Sequence, residues 1–247
     1  MLRLLCITAH PDDEAGGFGG TLLTYSERGV ESYVLCLTAG TAASNRGAAR
    51  SDSELAEMRR REFEVSCRLL RVHKGEVLDY PDGKLERQDF LAVTADLVGR
   101  IRRIRPHVIL TFGAEGAVTA HPDHSMTSFF STAAFHWAGR SNRFPEQLAK
   151  DGAKPHRAQK LYHATASFTL PDRQPVSLAP STAIIDIARH FDTKVAAFKS
   201  HTSQAPLFPK FEEMVRKRGP RERYNLAACI TPRDGQIEDD LFAGVTE

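Results

Sequence analysis

The sequence predicts an α/β fold with a mainly parallel sheet, because strand-like and helix-like patterns alternate along its first half. The first apolar run, residues 2–7, has five apolar residues in six positions, as expected for a strand buried on both faces. A chain of 247 residues without a shift in composition suits one sizeable domain. We therefore expect a single domain over residues 1–247, a Rossmann-like three-layer sandwich with additional C-terminal strands and helices.

The first half of the chain predicts four strands with helices between them. Gly29 ends the first helix, Ser51 or Ser53 caps the second, and Pro106 follows the third. The predicted strands are residues 2–7, 32–38, 77–79 and 107–112, and the predicted helices are residues 21–28, about 51–70 and 88–105.

The second half of the chain is less regular. Residues 138–157 are polar and interrupted by Pro145, Gly152 and Pro155, and we expect residues 138–180 to form an insertion or flap on the substrate side. The predicted strands are residues 160–168, 182–187 and 224–230, and the predicted helices are residues 187–200 and 208–218.

The composition excludes several classes of partner. A formal net charge of +2 gives no reason to expect a nucleic acid, and no apolar stretch approaches the length of a membrane span. The four cysteines form no C-x-x-C pair and lie in apolar segments, which favours buried free thiols and a cytoplasmic location. The sequence does not determine the oligomeric state, and a homo-oligomer stays open.

The first chemical motif is His10-Pro11-Asp12-Asp13-Glu14, directly after the first predicted strand. In open α/β sheets, ligands bind in the crevice outside the carboxyl ends of the strands. One histidine and three carboxylates gathered there would be very unfavourable if they were buried without partners. A metal ion is their simplest partner.

The second motif, His121-Pro122-Asp123-His124, also follows an apolar run and precedes a predicted helix. Proline is well tolerated at the first helical position, so His121 would lie near the N-cap and His124 in the first turn. Combining His10, Asp13 and His124 gives three protein ligands and leaves a fourth position for water, the pattern of a catalytic zinc site.

Four glycines follow the first motif, at positions 16, 17, 19 and 20. They do not form the G-x-G-x-x-G pattern of a dinucleotide site, because Leu22 occupies the sixth position counted from Gly17. We expect these glycines to let the backbone approach closely beside the metal.

The two histidine motifs together resemble those of the PIG-L (LmbE-like) family of zinc-dependent N-deacetylases, which remove acetyl groups from N-acetylglucosaminyl conjugates. This resemblance implies that Asp12 is the general base for the attacking water, and that His121 stabilises the oxyanion or protonates the departing amine. A protonated His121 would need a neighbouring carboxylate, and the sequence places Asp123 suitably to orient its ring.

Three further residues are similar to substrate-side positions of that family. Arg59 fits an arginine that contacts substrate, although arginines in such a run are more often solvated and paired with glutamate. Asp82 resembles an aspartate that binds sugar hydroxyls, although Asp-Gly is also ordinary turn chemistry. His201, in a C-terminal signature with Lys194, is expected at the rim of the pocket.

The predicted function is removal of an N-acetyl group from a small-molecule N-acetylated sugar conjugate by metal-hydroxide attack. Zinc is the default metal, and Fe²⁺ would accept the same ligands. One alternative is a non-haem iron oxygenase, which would depend on oxygen and a 2-oxoacid and gives Asp12 no purpose as a base. Another is a catalytically silent sugar-binding relative, which would require neither Asp12 nor His121.

Overall fold

The computed structural model describes residues 1–172, 176–231 and 235–247, without the side chains of residues 150 and 151. Within these residues the strands are β1 (Arg3–Thr8), β2 (Glu31–Thr38), β3 (Lys74–Tyr80), β4 (Val108–Phe112), β5 (Lys160–Thr165), β6 (Ala183–Asp186) and β7 (Arg221–Cys229). The helices are α1 (Asp13–Glu27), α2 (Asp52–Leu69), α3 (Phe90–Ile104), α4 (Pro122–Ala138), α5 (Pro145–Asp151), α6 (Phe191–Lys199) and α7 (Phe208–Arg218).

The strands form one sheet in the order β3-β2-β1-β4-β5-β7-β6. The pairs from β3 to β5 are parallel, and β7 runs antiparallel to both β5 and β6. This confirms the predicted α/β fold with a mainly parallel sheet and additional C-terminal strands.

Strand β1 lies inside the sheet between β2 and β4 and is buried on both faces, which explains its nearly continuous apolar sequence. Leu4 and Cys6 belong to a core cluster with α1, α2, α6 and α7, whereas Leu5 and Ile7 belong to a second cluster with α3 and α4. Alternate side chains of β1 therefore face two different helical layers, which gives the three-layer arrangement.

Helix α1 begins at Asp13, so the prediction of a helix starting at residue 21 was wrong at its N-terminus. The glycine cluster lies inside this helix because small residues are needed against the C-terminal part of the chain. A Cβ atom on Gly20 would lie 2.5 Å from Cγ2 of Ile187. One on Gly19 would lie 3.1 Å from Cδ2 of Leu70 and 3.3 Å from Cγ of Lys194. These two glycines thus allow a close approach to the C-terminal layer and to the end of α2.

Other boundaries differ from the predictions by a few residues. Strand β3 is longer than predicted, β5 ends before residue 168, and β7 begins at Arg221 instead of residue 224. Helix α6 follows a short 3₁₀ turn, Ala188–His190, which occupies the start of the predicted helix. The cap of α2 is confirmed, because the Ser51 hydroxyl accepts a hydrogen bond from the Glu54 amide at 3.2 Å.

The start of the predicted insertion packs against α3. The buried guanidinium of Arg102 donates hydrogen bonds to four carbonyl oxygens of this segment at 2.7 to 3.2 Å. Gln147 on α5 also donates to the carbonyl of Ala95 at 2.7 Å. Farther along, Leu170 and Leu178 line cavities next to the two histidine motifs, and residues 173–175 lie outside the described residues.

No helix among the described residues combines the length and apolar character that crossing a membrane requires.

Candidate active site

The two histidine motifs meet at the carboxyl ends of β1 and β4, which are adjacent parallel strands. His10 and Asp12 lie between β1 and α1, and Asp13 is the first residue of α1. His121 and His124 lie at the start of α4. The sheet therefore brings together residues that are more than 100 positions apart in the chain, as predicted from the strand-to-helix corners.

Asp13 lies between two imidazole rings. One of its carboxylate oxygens is 3.4 Å from Nδ1 of His10, and the other is 3.2 Å from Nε2 of His124. The His124 ring is stacked on Phe112, with 4.0 Å between ring centroids, so its orientation is fixed by packing. Asp13 therefore contacts both of the histidines that are predicted to ligate the metal with it.

The second nitrogen of each of these rings has a hydrogen-bond acceptor. Nε2 of His10 lies 3.1 Å from the carboxylate of Asp82 and 3.2 Å from that of Asp123. Nδ1 of His124 lies 3.3 Å from the carbonyl oxygen of Gly116. With protons held on these nitrogens, His10 Nδ1 and His124 Nε2 are left to ligate a metal beside Asp13.

The donor set fits a divalent metal. Two imidazole nitrogens and a carboxylate oxygen are ligands that both zinc and ferrous iron accept. Ligand atoms of His10, His121 and His124 also lie within 4.8 Å of one another, as do those of His10, Asp82 and Asp123. His10 is therefore common to every candidate ligand set among the described residues.

The electrostatics of this cluster favour an ionised Asp13. Burial disfavours its charged form, but His124 and His10 outweigh burial and hold the pKa of Asp13 well below its usual value. Burial likewise opposes a charged His10, yet its bonds to Asp123, Asp13 and Asp82 raise its pKa well above the usual value. His10 and Asp13 thus favour opposite charges.

Asp12 adopts a left-handed backbone conformation, with φ of 115°, that is unusual for a residue with a side chain. Two neighbours hold it there. The Glu14 carboxylate accepts a hydrogen bond from the Asp12 amide at 2.9 Å, and Arg59 donates to Oδ2 of Asp12 at 2.9 Å. Burial raises the pKa of Asp12 to about 6 despite the opposing effect of Arg59.

His121 is the N-cap of α4, and its Nδ1 accepts a hydrogen bond from the Asp123 amide at 3.2 Å. Its proton must then reside on Nε2. Burial and the nearby His10 and His124 lower the pKa of His121 to about 4.

We expected the Asp123 carboxylate to orient the His121 ring, but its hydrogen bonds among the described residues go elsewhere. This carboxylate accepts hydrogen bonds from the amides of Gly83 and Leu85, at 2.7 and 3.2 Å, in addition to its bond with His10. The turn after β3 therefore draws this carboxylate under His10, and only the Asp123 backbone orients His121.

The three predicted substrate-side residues are all engaged within the protein. Arg59 is buried and also donates to the carbonyls of Gly40 and Pro11, while Asp82 accepts from the Ala42 amide at 2.6 Å. Substrate contact by Arg59 and Asp82 stays a prediction.

His201 is fully buried, whereas we expected it at the rim of the pocket. Its Nε2 is 2.8 Å from Oε1 of Glu14, which also accepts a hydrogen bond from Ser66. Glu14 consequently links His201 to the backbone amide of Asp12 by hydrogen bonds.

A cavity of about 220 Å³ opens beside the two histidine motifs, and Asp12, Asp13 and His124 line it on one side. Its other walls come from α1, from the segment between β4 and α4, and from α7. Single residues of β4 and α6 complete them, together with Leu170 and Leu207. No local pattern in the sequence predicts the helical part of this lining, because apolar positions on a helix are usually core positions.

Comparison with known proteins places these motifs in context. The family described as "PIG-L: GlcNAc-PI de-N-acetylase" matches residues 5–135. Mycothiol S-conjugate amidase of Streptomyces coelicolor is 27% identical over 293 residues, covering 100% of this chain and 98% of that protein. Diacetylchitobiose deacetylase of Thermococcus kodakarensis is 31% identical over 205 residues, covering 83% and 70% respectively.

A solved structure is similar over nearly the whole fold. N,N'-diacetylchitobiose deacetylase from Pyrococcus horikoshii, complexed with its inhibitor MPG, superposes with a TM-score of 0.76 at 26% identity. The match covers 93% of this chain and 86% of that one.

Proposed function

Because the chain belongs to the PIG-L family, we propose that it is a zinc-dependent N-deacetylase that acts on an N-acetylglucosamine-type conjugate. The relatives named above include two diacetylchitobiose deacetylases, which supports an N-acetylated sugar as the substrate class. The observation that carries the proposal is the placement of Asp12 and His121 around the His10, Asp13 and His124 cluster.

His10, Asp13 and His124 would hold the metal, with zinc as the first candidate and ferrous iron as the second. When bound there, a divalent metal polarises a carbonyl oxygen and makes a water molecule more acidic. The carboxylates of Asp82 and Asp123 hold His10 in the tautomer that leaves Nδ1 for this metal.

Asp12 takes a proton from the water molecule that attacks the acetyl carbonyl carbon. Arg59 holds one oxygen of the Asp12 carboxylate, and the side chain remains 16% exposed towards the cavity. As the carbon–nitrogen bond breaks, Asp12 returns the proton to the nitrogen, so that the products are acetate and a free amine.

His121 stabilises the negative charge that develops on the carbonyl oxygen. Since its Nδ1 accepts the Asp123 amide proton, its Nε2 is a hydrogen-bond donor. A fixed donor of this kind acts without reorganisation in the transition state and can contribute a factor of about 10²–10³ to the rate.

We also propose a cellular compartment, a domain organisation and a binding partner for this enzyme. Cys6, Cys36 and Cys67 are buried free thiols, which supports a reducing compartment such as the cytoplasm. We propose a single catalytic domain over residues 1–247, with a small N-acetylated sugar conjugate as the binding partner.

The experiment is acetate release from a panel of N-acetylglucosaminides and other N-acetyl compounds by the full-length protein. The protein is stripped of metal and then reloaded with one equivalent of zinc or, without oxygen, of ferrous iron. We expect acetate only after reloading. Release by stripped protein would contradict metal dependence, and turnover that requires oxygen would indicate an oxygenase. Reloaded protein that binds metal and releases no acetate would contradict the deacetylase.

A further inference from the structure

We propose that the substrate's aglycone carries an anionic group, a carboxylate or a phosphate, and that Arg218 and Arg223 bind this group. The inference rests on the proposed N-deacetylase function, because it places the acetyl group beside Asp12 and Asp13. It concerns the cavity that extends from these residues towards the C-terminal layer.

The cavity beside Asp12 and Asp13 is apolar along most of its length. Its volume is about 220 Å³, and Arg218 at the C-terminus of α7 lies on its wall together with the catalytic aspartates. The apolar lining includes Phe112, Val118, Leu170, Phe198, Phe211 and Met214. Such a wall suits an aryl or alkyl portion of an aglycone and offers little to a second hydrated sugar.

A smaller cavity of about 40 Å³ continues from the first. The two share five lining residues, Gly17, Phe112, Ala117, Val118 and Arg218, and the second adds Arg223 on β7. No atom lies within 4 Å of the position that a Cβ on Gly17 would occupy, so the shared wall is open at that point. The aspartates and both arginines therefore line one connected space.

Both arginines have unused hydrogen-bonding capacity. Arg218 donates through one terminal nitrogen to the Gly16 carbonyl at 3.2 Å. The Nε atoms of Arg218 and Arg223 are closed off from solvent, and neither has a hydrogen-bond partner in the part of the chain that the structure describes. Among the described residues, neither guanidinium pairs with a carboxylate within 4 Å, and a buried donor without a partner is unfavourable.

The neighbouring carboxylate is already saturated. Both oxygens of Glu222 accept hydrogen bonds: one from Lys194 at 2.5 Å and the Gly20 amide, the other from the Thr21 amide at 2.8 Å. Glu222 thus neutralises Lys194, and the charges of Arg218 and Arg223 remain in excess. Burial lowers the pKa of Arg218 although Glu222 opposes this effect, as expected for a cation that lacks its own counter-ion.

Two guanidinium groups at the end of an apolar channel recognise carboxylate or phosphate geometry through paired N–H donors. A neutral acyl chain in the same space would leave both groups without a counter-ion. The observations therefore favour an anionic aglycone over a longer N-acyl group.

The test compares N-acetylglucosaminides that differ only at the para or meta position of a phenyl aglycone. The substituents are carboxylate, phosphate and the neutral carboxamide, each assayed with the zinc-loaded full-length protein. We expect kcat/KM for one anionic substrate to exceed that for the carboxamide by about 10- to 100-fold, the usual effect of charge-assisted hydrogen bonds. The anionic substrate with the higher kcat/KM indicates whether the two arginines bind a carboxylate or a phosphate.

Arg218→Gln and Arg223→Gln should each bring this ratio towards one, while Arg221→Gln should not. Arg221 is the matched control because it is exposed on the same strand and does not line the cavity. Taking the ratio within each variant cancels any general loss of activity, including one caused by the lost Arg218–Gly16 bond.

Calorimetric binding of the deacetylated carboxyphenyl, phosphophenyl and carboxamidophenyl products gives a readout independent of turnover. A wild-type ratio near one, or a ratio that both substitutions leave unchanged, would overturn the anion site. If no glycoside releases acetate, the proposed function fails, and the calorimetric ratios still decide whether the anion site exists.

Discussion

At the residue scale, the site depends on how one strained aspartate is held. Asp12 keeps its positive φ because its amide bonds to Glu14 and its carboxylate to Arg59. A non-glycine residue in this region costs about 1–3 kcal/mol, which the surrounding contacts must offset. Arg59 and Glu14 therefore position the proposed base even if neither touches the substrate.

We expect Arg59→Gln to lower kcat by about 10²-fold while KM changes little. Without Arg59 the Asp12 carboxylate would be misplaced, and misplacement of a reacting group affects the transition state. Zinc content should stay near one per chain. Arg61→Gln is the control, since Arg61 is exposed on the same helix and pairs only with Glu57 among the described residues. A raised KM with unchanged kcat would instead support direct substrate contact by Arg59.

At the element scale, α1 carries the site and is seated on the C-terminal layer through its glycines. Gly20 lies against Ile187, while Lys194 and Glu222 bond to the backbone of the helix. The C-terminal elements thus support the metal-ligating corner although they contribute none of its proposed ligands.

Gly20→Ala should lower the free energy of unfolding by about 1–3 kcal/mol, because its Cβ would lie within 2.6 Å of the Ile187 side chain. Gly17→Ala is the matched control in the same helix. A Cβ there would contact nothing within 4 Å, and alanine should stabilise the helix by about 0.5–1 kcal/mol. Urea unfolding of both variants checks this, and equal stabilities would contradict the proposed packing.

The sequence allowed prediction of the parts of the site that lie at strand ends. His10, Asp13 and His124 follow buried strands, so their meeting depended only on a parallel sheet. The partner of the Asp123 carboxylate depended on the path of the turn after β3, which no local pattern encodes. Arg218 and Arg223 were missed for the same reason, since only the folded chain brings α7 and β7 next to α1.

The start of α1 was predicted wrongly because glycines usually indicate a turn. In this helix the missing side chains of Gly20 and Gly19 make room for Ile187 and Lys194. These contacts are more than 160 residues away in the chain, and a local propensity does not register them. Tertiary packing outweighed the intrinsic cost of glycine in a helix.

At the scale of the whole molecule, one histidine outside the site makes stability depend on pH. Burial lowers the pKa of His163 on β5 to about 4. Since the unfolded chain takes up this proton near pH 6.5, folding becomes less favourable as the pH falls from about 6.5 towards 4.

As the pH falls over this interval, we expect the free energy of unfolding to decrease less for His163→Gln than for the wild type. His73→Gln, which replaces an exposed histidine, is the control substitution. Denaturant unfolding at pH 7, 5.5 and 4.5 measures the difference. Parallel curves for wild type and His163→Gln would show that His163 is not responsible.

We propose above that this chain is a metal-dependent deacetylase in which Asp12 is the base. The most direct measurement is the acetate release rate of Asp12→Asn, with zinc content determined on the same sample. Asparagine keeps the shape of the side chain and removes its basicity. We predict full zinc retention and a loss of about 10²–10⁴-fold in kcat. Turnover near that of the wild type with zinc bound would contradict the role of Asp12 as the base.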